Sequence, residues 1–113
     1  MLFKFPKNDS KYYWTSHSKS KMLQYRISEQ KIKTVLKNPS RKEEGVAPKT
    51  TAVMMRADTP KKKNEIWIMY QESKLDKSKK IKIISTWRYP GVSPKGNEIP
   101  VPNDILEELE NLI

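Results

Sequence analysis

The only histidine of the chain, His17, stands at the predicted start of a helix and is followed by Lys19 and Lys21. An imidazole titrates near neutral pH, so it can serve as a base or as an acid. On a helix, His17 and Lys21 share one face, whereas Lys19 points elsewhere. Cleavage of RNA without a metal needs an activated 2′-hydroxyl, a cation near the phosphate and a proton for the leaving oxygen. His17 and Lys21 are therefore candidate catalytic residues.

A second group of candidates lies much later in the chain. Arg88 could clamp the scissile phosphate from a strand, with Tyr70 or Tyr89 as a proton donor or a stacking surface. Trp87 precedes Arg88 and Tyr89, and it is the one tryptophan that this pattern allows at the surface, where it could stack on unpaired bases. The predicted catalytic residues are His17, Lys21 and Arg88, and the predicted RNA-binding residues are Lys19, Lys61, Lys62, Lys63, Trp87 and Tyr89.

Structural roles stay open for the same residues. A histidine near a helix start can simply hydrogen-bond the neighbouring strand, and His17 has no adjacent carboxylate in the sequence. Arg88 fits an ion pair with Glu65 or Glu72 as well as it fits a phosphate. Tryptophans are in general more typical of a core than of a stacking surface, which applies to Trp14, Trp67 and Trp87.

Two consecutive helices are predicted around the histidine. Thr15 or Ser16 can cap the first, about residues 17–25, whose buried side holds Met22 and whose opposite side holds the lysines. Ser28 can cap the second, and its spacing at i, i+3 and i+4 predicts one apolar stripe. That stripe consists of Ile32, Val35 and Leu36.

The remaining predicted elements are strands and one last helix. Residues 65–72 carry apolar side chains on both faces, which is typical of a central strand. Residues 39–50 are predicted to be a loop, because they contain two prolines, a glycine and mixed charges. The other predicted strands are 12–14, 51–56 and 80–89, the last with Ile81, Ile83, Ser85 and Trp87 on one face and Lys82, Ile84, Thr86 and Arg88 on the other. The last helix begins at Asn103 or Asp104.

This order (β-α-α-β-β-β-α) predicts a single α+β domain with two early helices, then a meander of antiparallel strands and a C-terminal helix. A chain of 113 residues rarely divides into two independent cores. Residues 1–11 are interpreted as an N-terminal arm, 12–89 as the core, and 90–113 as a proline-rich connection and an acidic helix.

The charge of the chain favours an anionic partner. The net charge is +10, but the last eleven residues carry −4, so the first 102 residues carry +14. Such an excess attracts polyanions and gains free energy when phosphate contacts release counterions. The lysine-rich turns 61–63 and 74–80 either follow an RNA backbone or protect sheet edges from aggregation. RNA or the ribosome is the expected partner, with an acidic protein as the main alternative.

The acidic last helix allows three interpretations. It could be a lid packed on its own sheet, an acidic plug that inhibits the basic face, or a handle for dimerisation. Packing on the body is favoured, because a helix this short is marginally stable alone. The oligomeric state does not follow from the sequence.

Composition also excludes several kinds of site. The chain has no cysteine and one histidine, which excludes disulfides, thiolate zinc sites and multi-histidine metal sites. We therefore expect no cofactor. No apolar run reaches the length of a membrane span, and none resembles a signal peptide. A cytoplasmic protein without membrane contact is predicted.

Three segments carry a resemblance to a known family. They are His17-Ser18-Lys19-Ser20-Lys21-Met22 with the hinge Ile27-Ser28, then Val35-Leu36-Lys37-Asn38-Pro39, and the late strand Ile83-Ile84-Ser85-Thr86-Trp87-Arg88. These segments resemble the RelE/BrnT-like toxin superfamily, close to a branch whose first helix begins His-Ala-Arg-x-Arg-Met. The resemblance covers about residues 12–89. Lysines replace both family arginines on the first helix, and Tyr25 replaces the arginine expected before the hinge.

The resemblance implies a helical hairpin on a curved antiparallel sheet. It also implies an RNA-binding, toxin-like domain that could act as a metal-free endoribonuclease, since the active members are ribonucleases of bacterial toxin–antitoxin pairs. An acidic antitoxin would then be a partner. The alternatives are a non-catalytic RNA- or ribosome-binding module on the same fold, and a domain that binds an acidic protein.

Overall fold

The protein, seen here in a computed structural model, forms an α+β fold with three helices and a five-stranded sheet in the described residues, 3–73, 80–96 and 98–112. The predicted fold class and the order of its elements are confirmed. Most of the predicted basic turn 74–80 lies outside the described residues. The elements are β1 Tyr12–Trp14, α1 Ser16–Tyr25, α2 Glu29–Lys37, β2 Arg41–Glu44, β3 Thr51–Arg56, β4 Asn64–Ser73, β5 Lys80–Pro90 and α3 Asn103–Leu112.

The sheet has the strand order β1-β5-β4-β3-β2, so β4 is central as predicted. Two details of the prediction are wrong. Strand β2 lies within the predicted loop 39–50, and its sequence RKEE has no apolar residue that would indicate a strand. Strand β1 pairs with β5 in parallel, which makes the sheet mixed. Both strands lie at sheet edges, where pairing with one neighbour suffices and apolar alternation is not required.

Each face of the sheet holds its own apolar core. Strand β4 supplies Ile66 and Ile68 to the first core and Trp67 and Met69 to the second. Burial of each such side chain stabilises the fold by about 1.5–3 kcal/mol. Helices α1 and α2 cover the first core with Met22, Ile32 and Val35, and the hinge between them adds Ile27. Helix α3 covers the second core with Ile105 and Leu109.

A bulge in β5 changes which of its side chains share a face. Met69 pairs with Ser85 and Tyr70 pairs with Ile83, so Ile84 is an extra residue. The predicted alternation along β5 is therefore wrong, since one added residue reverses every later side chain. Ile83 belongs to the first core, whereas Ile84 and Trp87 belong to the second. Ser85 consequently lies on the side of the sheet that α3 covers.

Helix α1 begins at the edge of β5 just beyond β1. The Thr15 hydroxyl caps α1 by accepting from the Ser18 amide at 3.0 Å, and it donates to the Ile83 carbonyl at 2.9 Å. The predicted cap is thus Thr15, and it ties the helix start to the strand. Ser28 caps α2 as predicted. In the described part of the chain, no helix combines the length and apolar character needed to cross a membrane.

Candidate functional site

His17 is buried between strand β5 and helix α3, with 8% of its surface exposed. Its Nδ1 lies 2.6 Å from the Glu108 carboxylate, and its Nε2 lies 2.9 Å from the Ser85 hydroxyl. A carboxylate only accepts, so Nδ1 carries the proton and the Ser85 hydroxyl donates to Nε2. Both ring nitrogens of His17 are therefore occupied within the protein. The contact with Ser85 agrees with the structural alternative, a histidine bonded to its neighbouring strand.

The surroundings of His17 keep the ring neutral. Burial lowers the pKa of His17 below its ordinary value of 6.5, because the imidazolium would lose its water. The Glu108 carboxylate works against this and raises the pKa, but it does not overcome the effect of burial. At neutral pH His17 is in the form of a general base, yet Ser85 blocks the nitrogen that would accept a proton.

Lys21 is also buried, with 4% of its surface exposed, so the prediction that the α1 lysines lie on the solvent side is wrong for this residue. Its ammonium group donates to Gln24 at 3.0 Å, to Asp104 at 2.8 Å and to Glu108 at 3.2 Å. Burial alone would lower the pKa of Lys21, but the hydrogen bonds to Asp104 and Glu108 outweigh burial and raise it. All three ammonium hydrogens are used, which explains how a lysine is buried here.

Helix α3 supplies the two carboxylates at the same spacing as their hydrogen-bond partners His17 and Lys21 on α1. Asp104 and Glu108 are four residues apart, as are His17 and Lys21, so each pair occupies one helix face. Hydrogen bonds from Lys21 hold the pKa of Asp104 and the pKa of Glu108 below their ordinary values. The favoured prediction, a last helix packed on the body of the protein, is confirmed by the burial of Ile105 at 0% exposure. We call these four residues, His17, Lys21, Asp104 and Glu108, the α1–α3 lock.

The contacts Ser85–His17–Glu108 have the order of a hydrolytic triad, with a hydroxyl at Nε2 and a carboxylate at Nδ1. Ser85, however, is 0% exposed and lies within a strand next to the central one. A nucleophile must reach the substrate, and in this conformation nothing can approach Ser85. We interpret the three residues as a structural connection between β5, α1 and α3.

Arg88 does not join the lock. Its Nε donates to the Tyr25 carbonyl at 2.7 Å and its Nη2 to the Arg26 carbonyl at 3.1 Å. These carbonyls belong to the end of α1, about 12 Å from His17 along the helix. Burial lowers the pKa of Arg88. Arg88 therefore fastens the last turn of α1 to β5, a role that neither the phosphate clamp nor the edge ion pair anticipated.

The aromatic candidates lie mostly inside the protein. Trp87 is 0% exposed and stacks on Trp67 at 6.2 Å between ring centroids, so the surface position allowed for it as an RNA-binding residue is wrong. The bulge in β5 turns Trp87 into the second core, which α3 closes. Its indole nitrogen has no hydrogen-bond partner among the described residues. Tyr70 is buried and Tyr89 is partly buried. The core placement of all three tryptophans is confirmed.

Three of the predicted RNA-binding lysines lie far from His17. Lys61, Lys62 and Lys63 are exposed and precede the start of β4, whereas the His17 partner Ser85 pairs with Met69 in the middle of that strand. Five residues of strand separate Asn64 from Met69, a distance of roughly 17 Å. Lys19 is half-buried on α1. The lysines of the turn 61–63 are thus separate from His17 and Lys21, whereas Lys19 shares their helix.

A cleft of about 580 Å³ next to Lys63 contains a buried carboxylate that sequence reasoning missed as a site residue. Glu65 is 0% exposed, and it accepts from Arg56 at 3.0 Å, from the Ser93 amide at 2.9 Å and from the Trp67 indole at 2.9 Å. Burial would raise the pKa of Glu65, but the bonds from Ser93 and Trp67 outweigh it and lower the pKa. The only signal in the sequence was a glutamate opening the most apolar strand.

Arg41 occupies the wall of the same cleft. It packs over the Trp67 ring at 5.2 Å, donates to the Ser93 hydroxyl at 2.8 Å and pairs with Glu43 at 2.7 Å. Lys63 and Lys95 also line the cleft, and neither makes an ion pair with a described residue. Arg41 and Arg56 of this cleft are held by contacts within the protein, whereas Lys63 and Lys95 are available to a ligand.

Within the described ranges, no three acidic or histidine side chains lie close enough together to hold a metal ion. Comparison of the chain with protein-family models, with curated proteins and with solved structures found no match. The proposals below therefore depend on the residues and contacts of this chain.

Proposed function

We propose that the protein is an RNA-binding domain of the RelE/BrnT-like kind, which holds unpaired RNA through lysine–phosphate contacts. The observation that carries the proposal is the cluster of exposed lysines around the cleft, Lys61, Lys62, Lys63 and Lys95, which make no ion pair with described residues. With a net charge of +10, these cations gain more from phosphate contacts than from remaining solvated.

A salt titration tests this proposal. Binding of a fluorescein-labelled single-stranded RNA of twenty nucleotides is followed by anisotropy in EDTA between 50 and 400 mM salt. Each phosphate contact to a single strand adds about −0.7 to the slope of log K against log salt. Replacing Lys61, Lys62 and Lys63 with Ala is expected to weaken binding and to reduce the slope by about 2.

A matched variant controls for net charge. Lys4, Lys7 and Lys37 are exposed lysines from the N-terminal arm and the end of α2. Their combined replacement with Ala removes the same charge, so it is expected to change the slope by less than the turn variant does. Equal losses in the two variants would indicate nonspecific attraction, and binding that ignores salt would contradict phosphate recognition and favour an acidic protein as partner.

Metal-free cleavage of RNA is the second candidate function, favoured by the presence of His17 and Lys21 on one face of α1. In the described conformation the lock occupies both residues, so cleavage requires that α3 leave them. The combined variant Asp104→Asn and Glu108→Gln weakens the lock without adding bulk. Cleavage of single-stranded RNA in EDTA by this variant, and its loss on adding His17→Ala, would support a nuclease. Binding without cleavage in every variant would support the non-catalytic module.

A further inference from the structure

Three neighbouring strands present a row of polar and aromatic side chains at one end of the sheet. Tyr13 of β1 pairs with Lys82 of β5, and Lys82 pairs with Gln71 of β4. Strand β1 buries Tyr12 and Trp14 in the first core and leaves Tyr13 on the opposite face, 42% exposed. Helix α3 packs on this same face of the sheet, but it does not cover the end of the sheet where the row lies.

The row borders a pocket of about 420 Å³. Its other lining residues are Thr15, Ser16, His17 and Ile84. Sites for small ligands usually measure roughly 300–1,000 Å³ and combine apolar surface with a few polar groups. The pocket therefore has the size and composition needed for one nucleotide, and it is distinct from the lysine cleft at the other end of β4.

Each member of the row offers one kind of contact to a nucleotide. Tyr13 exposes an aromatic ring, and unpaired bases stack on such rings irrespective of their sequence. The Lys82 ammonium lies over that ring, 5.9 Å from its centre. Because a lysine side chain is long and flexible, the ammonium can turn from the ring to the phosphate of a base that stacks there. The Gln71 amide nitrogen donates to the Pro48 carbonyl at 3.3 Å, which leaves the amide oxygen as an acceptor for a base.

We propose that this pocket holds one unpaired nucleotide of a single-stranded RNA, with the base on Tyr13 and its phosphate on Lys82. The inference rests on the proposed function. It assigns the base of the RNA to the pocket, whereas the lysines of the cleft contact only phosphates. A base in a duplex cannot reach Tyr13, because both of its faces are already stacked. The pocket therefore makes the protein selective for unpaired RNA.

The experiment compares variants of the full chain in the same anisotropy assay. Tyr13→Leu keeps apolar bulk but removes the ring, and it is expected to weaken binding of single-stranded RNA roughly 5- to 100-fold. Tyr13→Phe keeps the ring and should stay within about twofold of the natural protein. Lys82→Ala should weaken binding and reduce the salt slope by about 0.7, and Lys37→Ala, another exposed lysine, is its control.

A second measurement uses the unsubstituted protein, so that its result does not depend on whether the variants fold. RNA containing 4-thiouridine is cross-linked by ultraviolet light, and the attached peptide is identified by mass spectrometry. Attachment to the segment of Tyr13 or of Lys82 supports the pocket. Attachment only near Lys61–Lys63, with unchanged affinity of Tyr13→Leu, overturns the pocket and leaves RNA binding intact. Absence of RNA binding by the natural protein at low salt overturns both.

Discussion

Replacing Glu108 with Gln tests how strongly the α1–α3 lock holds the last helix. The change keeps the shape of the side chain but removes the charge that contacts His17 at 2.6 Å and Lys21 at 3.2 Å. Removing one partner of a fully buried pair costs about 3–5 kcal/mol, whereas an exposed pair contributes about 0.2–1 kcal/mol. The Glu108 side chain is 47% exposed and Lys21 keeps Asp104, so we expect the free energy of unfolding to fall by about 1–2 kcal/mol at pH 7.5.

The cost of the same substitution should depend on pH. Burial holds the pKa of His17 in the folded protein below its ordinary value of 6.5, so its contribution to stability is present above pH 6.5 and is lost as the pH falls. Glu108 partly offsets this by raising the pKa of His17. Without Glu108 the pKa of His17 falls further, so the folded protein binds a proton less readily than the unfolded chain does. The loss of unfolding free energy caused by Glu108→Gln should therefore grow between pH 6.5 and 5.5, by at most about 1.4 kcal/mol.

Urea unfolding followed by tryptophan fluorescence at pH 7.5, 6.5 and 5.5 measures both effects. Glu107→Gln is the matched control, because Glu107 lies on the same helix, is exposed and makes no ion pair with a described residue. It should change stability by no more than about 0.5 kcal/mol at any of these pH values. If Glu108→Gln behaves like Glu107→Gln, the reasoning about the lock is refuted. A penalty that shrinks towards pH 5.5 would refute the assignment of His17 as neutral.

Three further predictions concern the residues that position the site. Ile105→Ala should lower the free energy of unfolding by about 2–5 kcal/mol, since Ile105 is 0% exposed in the second core, and urea unfolding measures it against the exposed control Leu106→Ala. Glu65→Gln should destabilise the fold by about 1–3 kcal/mol at pH 7. Because the pKa of Glu65 is lowered, its contribution is lost as the pH falls below about 4.5, and the difference from the natural protein should shrink there. Arg88→Lys cannot reproduce the contacts to two carbonyls, so circular dichroism should report a lower melting temperature with unchanged RNA affinity.

The predictable part of the fold is its local part. Caps at Thr15 and Ser28, apolar spacing in α2 and the two apolar faces of β4 all depend on residues close together in the chain, so α1, α2 and β4 could be predicted with nearly correct bounds. Strand β2 could not, because its four charged residues form a strand only through pairing with β3. The bulge at Ile84 is equally invisible in sequence, since it is defined by the register between β4 and β5.

The candidate site was predictable only in part. The spacing of His17 and Lys21 correctly placed both on one face of α1, as their shared contact with Glu108 shows. The contacts of His17 and Lys21 with Glu108 were not predictable from the sequence. Glu108 lies 91 positions beyond His17 and reaches it only because α3 packs on the second core. The surface position allowed for Trp87 is wrong for the same reason, since the bulge in β5 turns this side chain into the core that α3 covers. Packing between elements that are distant in the chain determines which charged side chains remain available to a ligand, and no local sequence pattern shows that packing.

The basic side chains of this protein divide by chemical type. Sequence reasoning named the lysines 61–63, which are exposed, as RNA-binding residues, but it also named Arg88 and His17, which connect elements of the fold, as catalytic candidates. Arginine and histidine are usually preferred as functional cations because they bind phosphate in a fork or titrate near neutral pH. Here Arg41 and Arg88 satisfy backbone carbonyls, and His17 joins two helices to a strand. A guanidinium fork can satisfy several acceptors at once, which makes it the better structural connector in a small domain. Most described lysines, which hold one ammonium on a long flexible chain, are left at the surface. Substitution of the exposed lysines 61–63 or of Lys82 should therefore change RNA binding with little effect on stability, and substitution of Arg41 or Arg88 should do the reverse.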